Sequence, residues 1–206
     1  MIPLFKVSMS EDVLEPINKV LMSGFIGEGE KVKEFEMLLK THFQNLLLMS
    51  LNSATSADHL ALHLLKKEQS DWPGVNEGDE VLATPLTCTA SNWPILANKY
   101  KIKWVDVDPE TCNMDLDDLE RKITEKTKVI LIVHWGGNPV DLERLKAIQE
   151  NSKQLYGFKP AIIEDCAHSF GSKFNDEFLG NHGNLAFYSF QAIKHFTTVD
   201  GGMLIL

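Results

Sequence analysis

The chain has 206 residues, of which 44% are hydrophobic and 24% are charged, and its formal net charge is −9. This charge argues against a general nucleic-acid binder, which needs clustered Lys and Arg, and no apolar run approaches the roughly 18 residues of a membrane helix. The first residues, MIPLFKVSMSED, lack a basic region followed by an apolar signal core, so we expect a cytoplasmic protein.

Helix-like and strand-like patterns alternate along the chain. Residues 8–24 predict a helix that begins at a capping box from Ser8 to Glu11 and ends near Gly24, although Pro16 makes its first half uncertain. Residues 30–43 carry apolar side chains at helical spacing. Further helices are predicted at 56–67, 91–99, 116–123 and 141–152, and strands at 47–51, 80–85, 102–108, 128–135, 161–166, 185–190 and 201–206.

This alternation predicts βαβ units and a mostly parallel central sheet with helices on both faces, which is a three-layer α/β/α fold. The unbroken apolar run VILIV at 129–133 is typical of a strand buried on both faces. In a complete enzyme we expect the same of GGMLIL at 201–206, but in this chain we expect it to leave apolar surface uncovered. Cys88, Cys112 and Cys166 are widely separated and odd in number. They indicate reduced packing thiols rather than a disulfide framework or a zinc site.

A turn of small residues, NSATSADHL at 52–60, follows the first predicted strand and opens a helix. A helix N-terminus offers unpaired backbone N–H groups and the positive end of the helix dipole. Thr55 and Ser56 would add hydroxyl donors, so the turn is a candidate phosphate site. Ordinary helix capping accounts for the same residues, because Ser and Thr are common caps.

Two acids end the strand at 161–164, in the motif IIEDCAHSFGS. Glu164 and Asp165, with His168 three residues further on, suit a base, a metal ligand, a partner for a cationic ring or a helix cap. A metal ion would need another well-spaced ligand. His134 and His168 have no recognisable ligand spacing, so no metal site is predicted.

A lysine close to the end of the chain, Lys194 in SFQAIKHFTTVDGG, completes a possible cofactor site. Pyridoxal phosphate needs a lysine for its aldehyde, a carboxylate facing the ring nitrogen, a phosphate site and a group packed on the ring face. Lys194, Asp165 and the turn at Thr55 and Ser56 supply the first three. The sequence therefore indicates a pyridoxal phosphate enzyme.

The whole chain resembles the DegT-type sugar-nucleotide aminotransferases, which belong to the fold-type I pyridoxal phosphate enzymes. The motifs that carry the resemblance occur in the order found in the family. They are SGFIGEGEKVKEFE, NSATSADHLAL, GDEVLATPLTCTASNWPI, VDVDPETCNMD, KVILIVHWGGNPVDLERL, IIEDCAHSFGS and YSFQAIKHFTTVDGG. Together they imply the fold-type I large domain.

The resemblance implies a role for each matching position. Lys194 would bind the cofactor aldehyde and move protons, Asp165 would pair with the ring nitrogen, and His168 would lie near the ring hydroxyl. Cofactor binding is implied for Thr55, Ser56, Cys88, Asp165, His168, Ser189 and Lys194, and substrate binding for Lys6, Phe25, Ile26 and Gly27.

Three departures from the family pattern affect these expectations. Cys88 stands where many members place an aromatic ring over the pyridine, and a thiol covers less area. Val199 stands where the family has glycine, and a β-branched residue lacks the backbone freedom of glycine. Relatives also continue beyond the position of Leu206 into a small C-terminal domain. We therefore expect residues 1–206 to be an incomplete large domain that binds pyridoxal phosphate.

The implied activity is amino transfer from an amino acid, with glutamate the expected donor, to a nucleotide-linked keto-sugar in amino-sugar or polysaccharide biosynthesis. The implied assembly is a homodimer. Two alternatives remain open at this point. One is a sugar dehydratase that uses the same cofactor, although dehydrating relatives replace the lysine with histidine. The other is a truncated or non-catalytic domain that binds the cofactor without turnover.

Overall fold

The computed structural model describes residues 2–3, 5–7, 9–69 and 71–206. In these residues helices and strands alternate as the sequence predicts. The helices are α1 Leu14–Ser23, α2 Glu30–Phe43, α3 Ala54–Leu64, α4 Thr89–Ala97, α5 Leu116–Lys122 and α6 Leu142–Tyr156. The strands are β1 Leu48–Leu51, β2 Glu80–Ala83, β3 Lys101–Trp104, β4 Thr127–Val133, β5 Ala161–Asp165, β6 Lys173–Phe174, β7 Glu177–Phe178, β8 Leu185–Ser189 and β9 Gly202–Ile205.

Seven strands form the central sheet in the order β1-β9-β8-β5-β4-β2-β3. Neighbouring strands from β8 to β3 are parallel, whereas β9 runs antiparallel to both β1 and β8. The predicted mostly parallel sheet is confirmed. The short antiparallel hairpin of β6 and β7 lies outside this sheet and was not predicted.

Helices cover both faces of the sheet, which confirms the three-layer fold. One apolar cluster joins the sheet to α2, α5 and α6, and the other joins it to α3 and α4. Strand β9 contributes to both clusters, with Met203 and Ile205 on one face and Leu204 on the other. Strand β9 is therefore buried on both faces within the described chain, so the expectation that it leaves apolar surface uncovered is wrong. Each fully buried Leu or Ile stabilises the fold by about 2 kcal/mol.

The first helix begins later than its sequence pattern suggests. The predicted capping box at Ser8 lies outside the described residues. A short 3₁₀ turn at Glu11–Val13 comes first, and the Ser10 side chain accepts a hydrogen bond from the Asp12 N–H. Pro16 lies in the first turn of α1, where a missing N–H is tolerated. The helix ends at Gly24, which has a left-handed φ of 75°.

No helix in the described part of the chain combines the length and the apolar character that crossing a bilayer requires.

Candidate functional site

The carboxyl end of β5 places a buried acid, Asp165, at the centre of the sheet. The Ser91 hydroxyl donates to Asp165 Oδ2 at 2.6 Å, and the Ala167 N–H donates to Oδ1 at 3.0 Å. Burial raises the pKa of Asp165, while these two donors and the positive charges of His168 and Lys194 oppose that rise. The carboxylate is thus held in one orientation by neutral donors and lies in the field of a lysine.

Ser91 was not predicted as a site residue, yet it fixes the orientation of Asp165. It lies one turn into α4, and its N–H donates to the carbonyl of Cys88, the N-cap residue of that helix. The hydroxyls of Thr87 and Ser91 lie 3.0 Å apart. Cys88 itself is exposed, at the same end of α4 as Ser91. The sequence of α4 gives no signal for this position, because Thr89 and Asn92 of the same helix are also polar.

Lys194 lies half-buried in the loop between β8 and β9, where its N–H donates to the Gln191 carbonyl at 2.9 Å. Its charge acts on both Asp165 and His168. Burial and then the charge of Lys194 lower the pKa of His168, which favours the neutral imidazole. The structure therefore brings together the predicted lysine, acid and histidine.

The N-terminus of α3 carries the predicted phosphate turn. Ser53 caps the helix, because its hydroxyl accepts from the Ser56 N–H at 3.1 Å and its carbonyl accepts from the Ala57 N–H at 3.2 Å. Within the described residues, the N–H groups of Ala54 and Thr55 precede these bonds and remain available to a ligand. The turn thus offers the donors that a phosphate group requires.

A close backbone contact brings this turn next to the end of β8. Gly202 pairs with Ser189 in the sheet, and a Cβ atom at Gly202 would collide with the backbone of Ser53 and Ala54. Only glycine permits that approach. Ser189, the predicted second phosphate hydroxyl, is buried at this junction. The hydroxyl-bearing residues at the end of β8 and the start of α3 therefore lie at the carboxyl ends of the strands, where Asp165 also lies.

A hydrogen-bonded network of buried polar groups lies behind Asp165. His134 Nδ1 accepts from the Val140 N–H, so Nε2 carries the proton and donates to Glu164 at 3.0 Å. Glu164 also accepts from the N–H groups of Gly180, His182 and Gly183. Burial opposes ionisation, but His134 and these backbone donors together hold the pKa of Glu164 below its ordinary value.

The same network bears on metal binding. Ligand atoms of His134, Glu164 and Cys166 lie within 4.8 Å of one another. The lone pairs of His134 and Glu164 that a metal ion would need are already taken by hydrogen-bond donors. The cluster is better explained as the support that fixes the loop after β5.

The predicted substrate-binding residues fall into two groups. Lys6 lines a cavity of about 230 Å³ that Lys194 also lines. Phe25, Ile26 and Gly27 lie exposed between α1 and α2. No hydrogen bond, aromatic pair or cavity among the described residues joins those three to Asp165 or Lys194, so their role stays a prediction.

A larger cavity, of about 580 Å³, opens at the opposite edge of the sheet. Ala161 and Leu185, which begin β5 and β8, line it. Ligands of open α/β sheets bind at the carboxyl ends of the strands. The polar groups that converge around Asp165, rather than cavity size, therefore identify the candidate site.

Comparison with known proteins agrees with this geometry. The DegT/DnrJ/EryC1/StrS aminotransferase family model matches residues 7–206. The chain belongs to this family. A curated relative, GDP-perosamine synthase of Escherichia coli O157:H7, is 35% identical to this chain. The match covers 99% of this chain and 52% of the relative. The chain thus spans about half the length of the curated relatives it matches.

Solved structures support membership of the aminotransferase family. AtS13 from Actinomadura melliaura is 50% identical with a TM-score of 0.92, and the match covers 100% of this chain and 53% of that protein. The sugar aminotransferase CalS13 from Micromonospora echinospora is 46% identical with a TM-score of 0.91, covering 100% and 54%. The matched core is therefore the same fold.

Two further structures carry information on cofactor and reaction. The PLP form of Spr1654 from Streptococcus pneumoniae is 33% identical with a TM-score of 0.89, covering 99% of this chain and 52% of that one. A GDP-4-keto-6-deoxy-D-mannose-3-dehydratase from E. coli with bound hydrated PLP is 26% identical with a TM-score of 0.89, covering 98% and 50%.

Proposed function

We propose that this chain is the cofactor-binding part of a pyridoxal phosphate-dependent aminotransferase that acts on a nucleotide-linked keto-sugar, as a cytoplasmic homodimer. The observation that carries the proposal is the meeting of Asp165, Lys194 and the N-terminus of α3 at one edge of the sheet. Each of the three supplies one requirement of the cofactor. Family membership and the PLP form of Spr1654 support the same assignment.

The residues present fit pyridoxal phosphate. The free N–H groups at the start of α3 and the close approach of Gly202 leave a small, dipole-favoured site for the phosphate. Asp165 would hold a proton on the ring nitrogen, because Ser91 and Ala167 orient the carboxylate. Residues that would hold the cofactor are Thr55, Ser56, Cys88, Asp165, His168, Ser189 and Lys194.

Bound pyridoxal phosphate supplies an electron sink that stabilises negative charge on the substrate carbon. Lys194 Nζ would hold the aldehyde carbon of the cofactor, and the same amine would move protons. The half-buried position of Lys194 excludes part of the surrounding water. The overall reaction would exchange an amino group and a carbonyl oxygen between glutamate and the keto-sugar, and Lys6 lies where it could contact the substrate.

A sugar dehydratase is the second candidate, and the match to the E. coli dehydratase favours it. The residue at position 194 distinguishes the two reactions. The family resemblance implies histidine at the position of the lysine in dehydrating relatives, and this chain carries Lys194. A lysine amine can return a proton to the substrate carbon, which amino transfer requires, so the aminotransferase is the better-supported proposal.

Labelling of Lys194 tests cofactor binding. Borohydride reduction of the chain with excess pyridoxal phosphate should fix the cofactor to Lys194, as peptide mass mapping would locate. Lys194→Ala should lose the covalent label and keep non-covalent binding through the α3 turn. Lys6→Ala, which changes a lysine of the same cavity, is the matched control and should keep the label.

The result that would contradict the assignment is a label on another lysine, or no label at saturating cofactor. Product analysis with a nucleotide keto-sugar and glutamate then separates the reactions. An amino-sugar supports the aminotransferase, and a deoxy-sugar supports the dehydratase. Labelling without either product would identify a domain that binds the cofactor without turnover.

A further inference from the structure

A second buried acid, Asp58, lies in α3 behind the phosphate turn. It occupies a core position, because the buried residues of this helix are Ala57, Asp58, Ala61 and Leu62. The side chain is fully buried, and neither carboxyl oxygen has a hydrogen-bond partner among the described residues. A carboxyl group in such surroundings requires a specific explanation. The sequence signal is an acid at helical spacing with apolar core residues.

Three states would account for a buried carboxyl without partners: a bound cation, a bound water or a bound proton. The cluster of metal-ligating side chains found in the described part of the chain, at His134, Glu164 and Cys166, does not include Asp58. A buried water needs two to four polar partners, and no polar group of the described residues lies within hydrogen-bond reach of the Asp58 carboxyl. The proton remains as the state that fits.

The surroundings of Asp58 favour that proton. Helix α3 packs against β1, β8, β9 and α4. The titratable groups on or next to those elements are Tyr188, which belongs to the core of the opposite face, Cys88, which is exposed, and Tyr100, whose hydroxyl donates to the Leu62 carbonyl. His59 and His63 on α3 itself are exposed. Burial first, and then the negative charge of Asp165 on β5, raise the pKa of Asp58 well above its ordinary value.

Asp165 and Asp58 differ in what supports a negative charge. Asp165 accepts hydrogen bonds from Ser91 and Ala167 and lies in the field of Lys194. Asp58 has no donor among the described residues. When two interacting buried carboxyls share one proton, the proton resides on the one with less support for its charge.

We infer that Asp58 is a neutral carboxylic acid in the folded chain, and that by keeping its proton it adds no second negative charge to the surroundings of Asp165. Asp165 is then free to face the protonated ring nitrogen. This functional consequence rests on the proposed function, whereas the protonated state of Asp58 does not.

The pH dependence of unfolding tests the protonated state without cofactor. The folded chain retains the Asp58 proton above pH about 4, where an unfolded aspartate loses it. Stability therefore falls as pH rises toward the folded-state pKa, by up to about tenfold in the unfolding constant per pH unit. Asp58→Asn should remove this fall, and infrared spectra should show a protonated carboxyl in the native chain that the variant lacks.

Controls separate the charge of Asp58 from its shape. Asp58→Leu, which also cannot ionise, should remove the same fall in stability, and it serves if the Asn variant fails to fold. Glu28→Gln, at an exposed acid, should leave the fall in place. A native chain whose pH dependence matches that of both Asp58 variants, with no protonated carboxyl band, would overturn the inference.

Coupling to Asp165 is tested by a second substitution. Asp165→Asn removes the like charge, so the fall in stability due to Asp58 should end at a lower pH than in the native chain. An unchanged end point would show that Asp58 does not act on Asp165. Because no cofactor is present, failure here is distinct from failure of the Lys194 labelling.

With cofactor present, the positive charge of the ring would offset the negative charge of Asp165. Asp58 would then lose its proton at a lower pH. The affinity for pyridoxal phosphate should then vary with pH above about 4, the ordinary pKa of an aspartate, in the native chain and vary less in Asp58→Asn. Fluorescence titration across that pH range measures both affinities. Identical pH profiles would refute the role of Asp58 at the cofactor site.

Discussion

Val199 is a β-branched residue in a backbone conformation that favours glycine. Its φ is 75°, and its side chain is largely exposed in the turn that joins the Lys194 loop to β9. The N–H of Val199 donates to Thr197 Oγ1 at 2.9 Å, and Thr198 N–H donates to the Phe190 carbonyl at 3.0 Å. These bonds hold the turn, so the glycine-like conformation expected to be unavailable to valine is adopted under strain.

Val199→Gly should stabilise the chain. Removing the strain of a β-branched residue with a left-handed φ outweighs the greater conformational entropy of glycine in the unfolded state. The free energy of unfolding should therefore rise by about 1 kcal/mol. The midpoint temperature of thermal unfolding should rise by about 2–4 °C for a chain of this size. Val199→Ala, which removes the branch but keeps a Cβ atom, should give a smaller rise. A Gly variant that unfolds earlier than the native chain would show that Val199 carries no strain.

The residues of the candidate site differ in how far the sequence could identify them. Asp165 ends a buried strand, Lys194 lies in the loop after another, and the resemblance to a family gave each a chemical role. Ser91 and Asp58 lie on helices, and their proximity to Asp165 depends on how α3 and α4 pack on the sheet. Strand order and helix rotation fix that proximity, and neither follows from local sequence patterns.

Among the structural elements, a stack of aromatic rings joins the loop after β5 to the Lys194 loop. Phe170 and Phe196 stack with centroids 4.3 Å apart and planes 8° apart, and Phe35 of α2 stacks on Phe196 at 6.4 Å. His195 Nε2 lies 2.7 Å from the Phe170 carbonyl. The loop that follows Asp165 and the loop that carries Lys194 are thus packed against each other.

Phe196→Ala should therefore weaken both stability and lysine placement. The loss for this half-buried ring should be about 2 kcal/mol, below the value for a fully buried phenylalanine. Borohydride labelling of Lys194 should slow, whereas Phe196→Leu should restore much of both properties. Phe158→Ala removes a half-buried ring from a different aromatic pair, with Trp72, and should lower stability without slowing the labelling. Equal labelling rates in the two alanine variants would refute a positioning role.

The elements that the sequence predicted well have either a continuous apolar run or apolar residues repeated at helical spacing over several turns. Strand β4 and helices α2 and α6 bury enough side chains for the pattern to stand out. The hairpin of β6 and β7 escaped prediction because each strand has two residues, too few for an alternating pattern. The antiparallel direction of β9 depends on its partners, which a single strand sequence does not specify.

On the scale of the whole molecule, the described residues leave an apolar face of α1 uncovered. Leu14, Ile17 and Leu21 recur at helical spacing, yet α1 contains no buried residue. Phe25 and Ile26 extend this exposed surface beyond the end of the helix. Contiguous apolar surface of this kind is typical of an interaction site. A second copy of this chain is the partner that we propose, in keeping with the homodimer that the family resemblance implies.

Light scattering at micromolar concentration should therefore find the chain self-associated, with a mass of at least two copies. Leu21→Glu places a charge in the apolar face of α1 and should shift the mass toward the monomer, because burying an unpaired carboxylate is costly. Leu155→Glu, at an exposed leucine of α6, adds the same charge elsewhere and should leave the association unchanged. A native chain that is already monomeric, or two variants that dissociate equally, would show that the face of α1 does not join two copies.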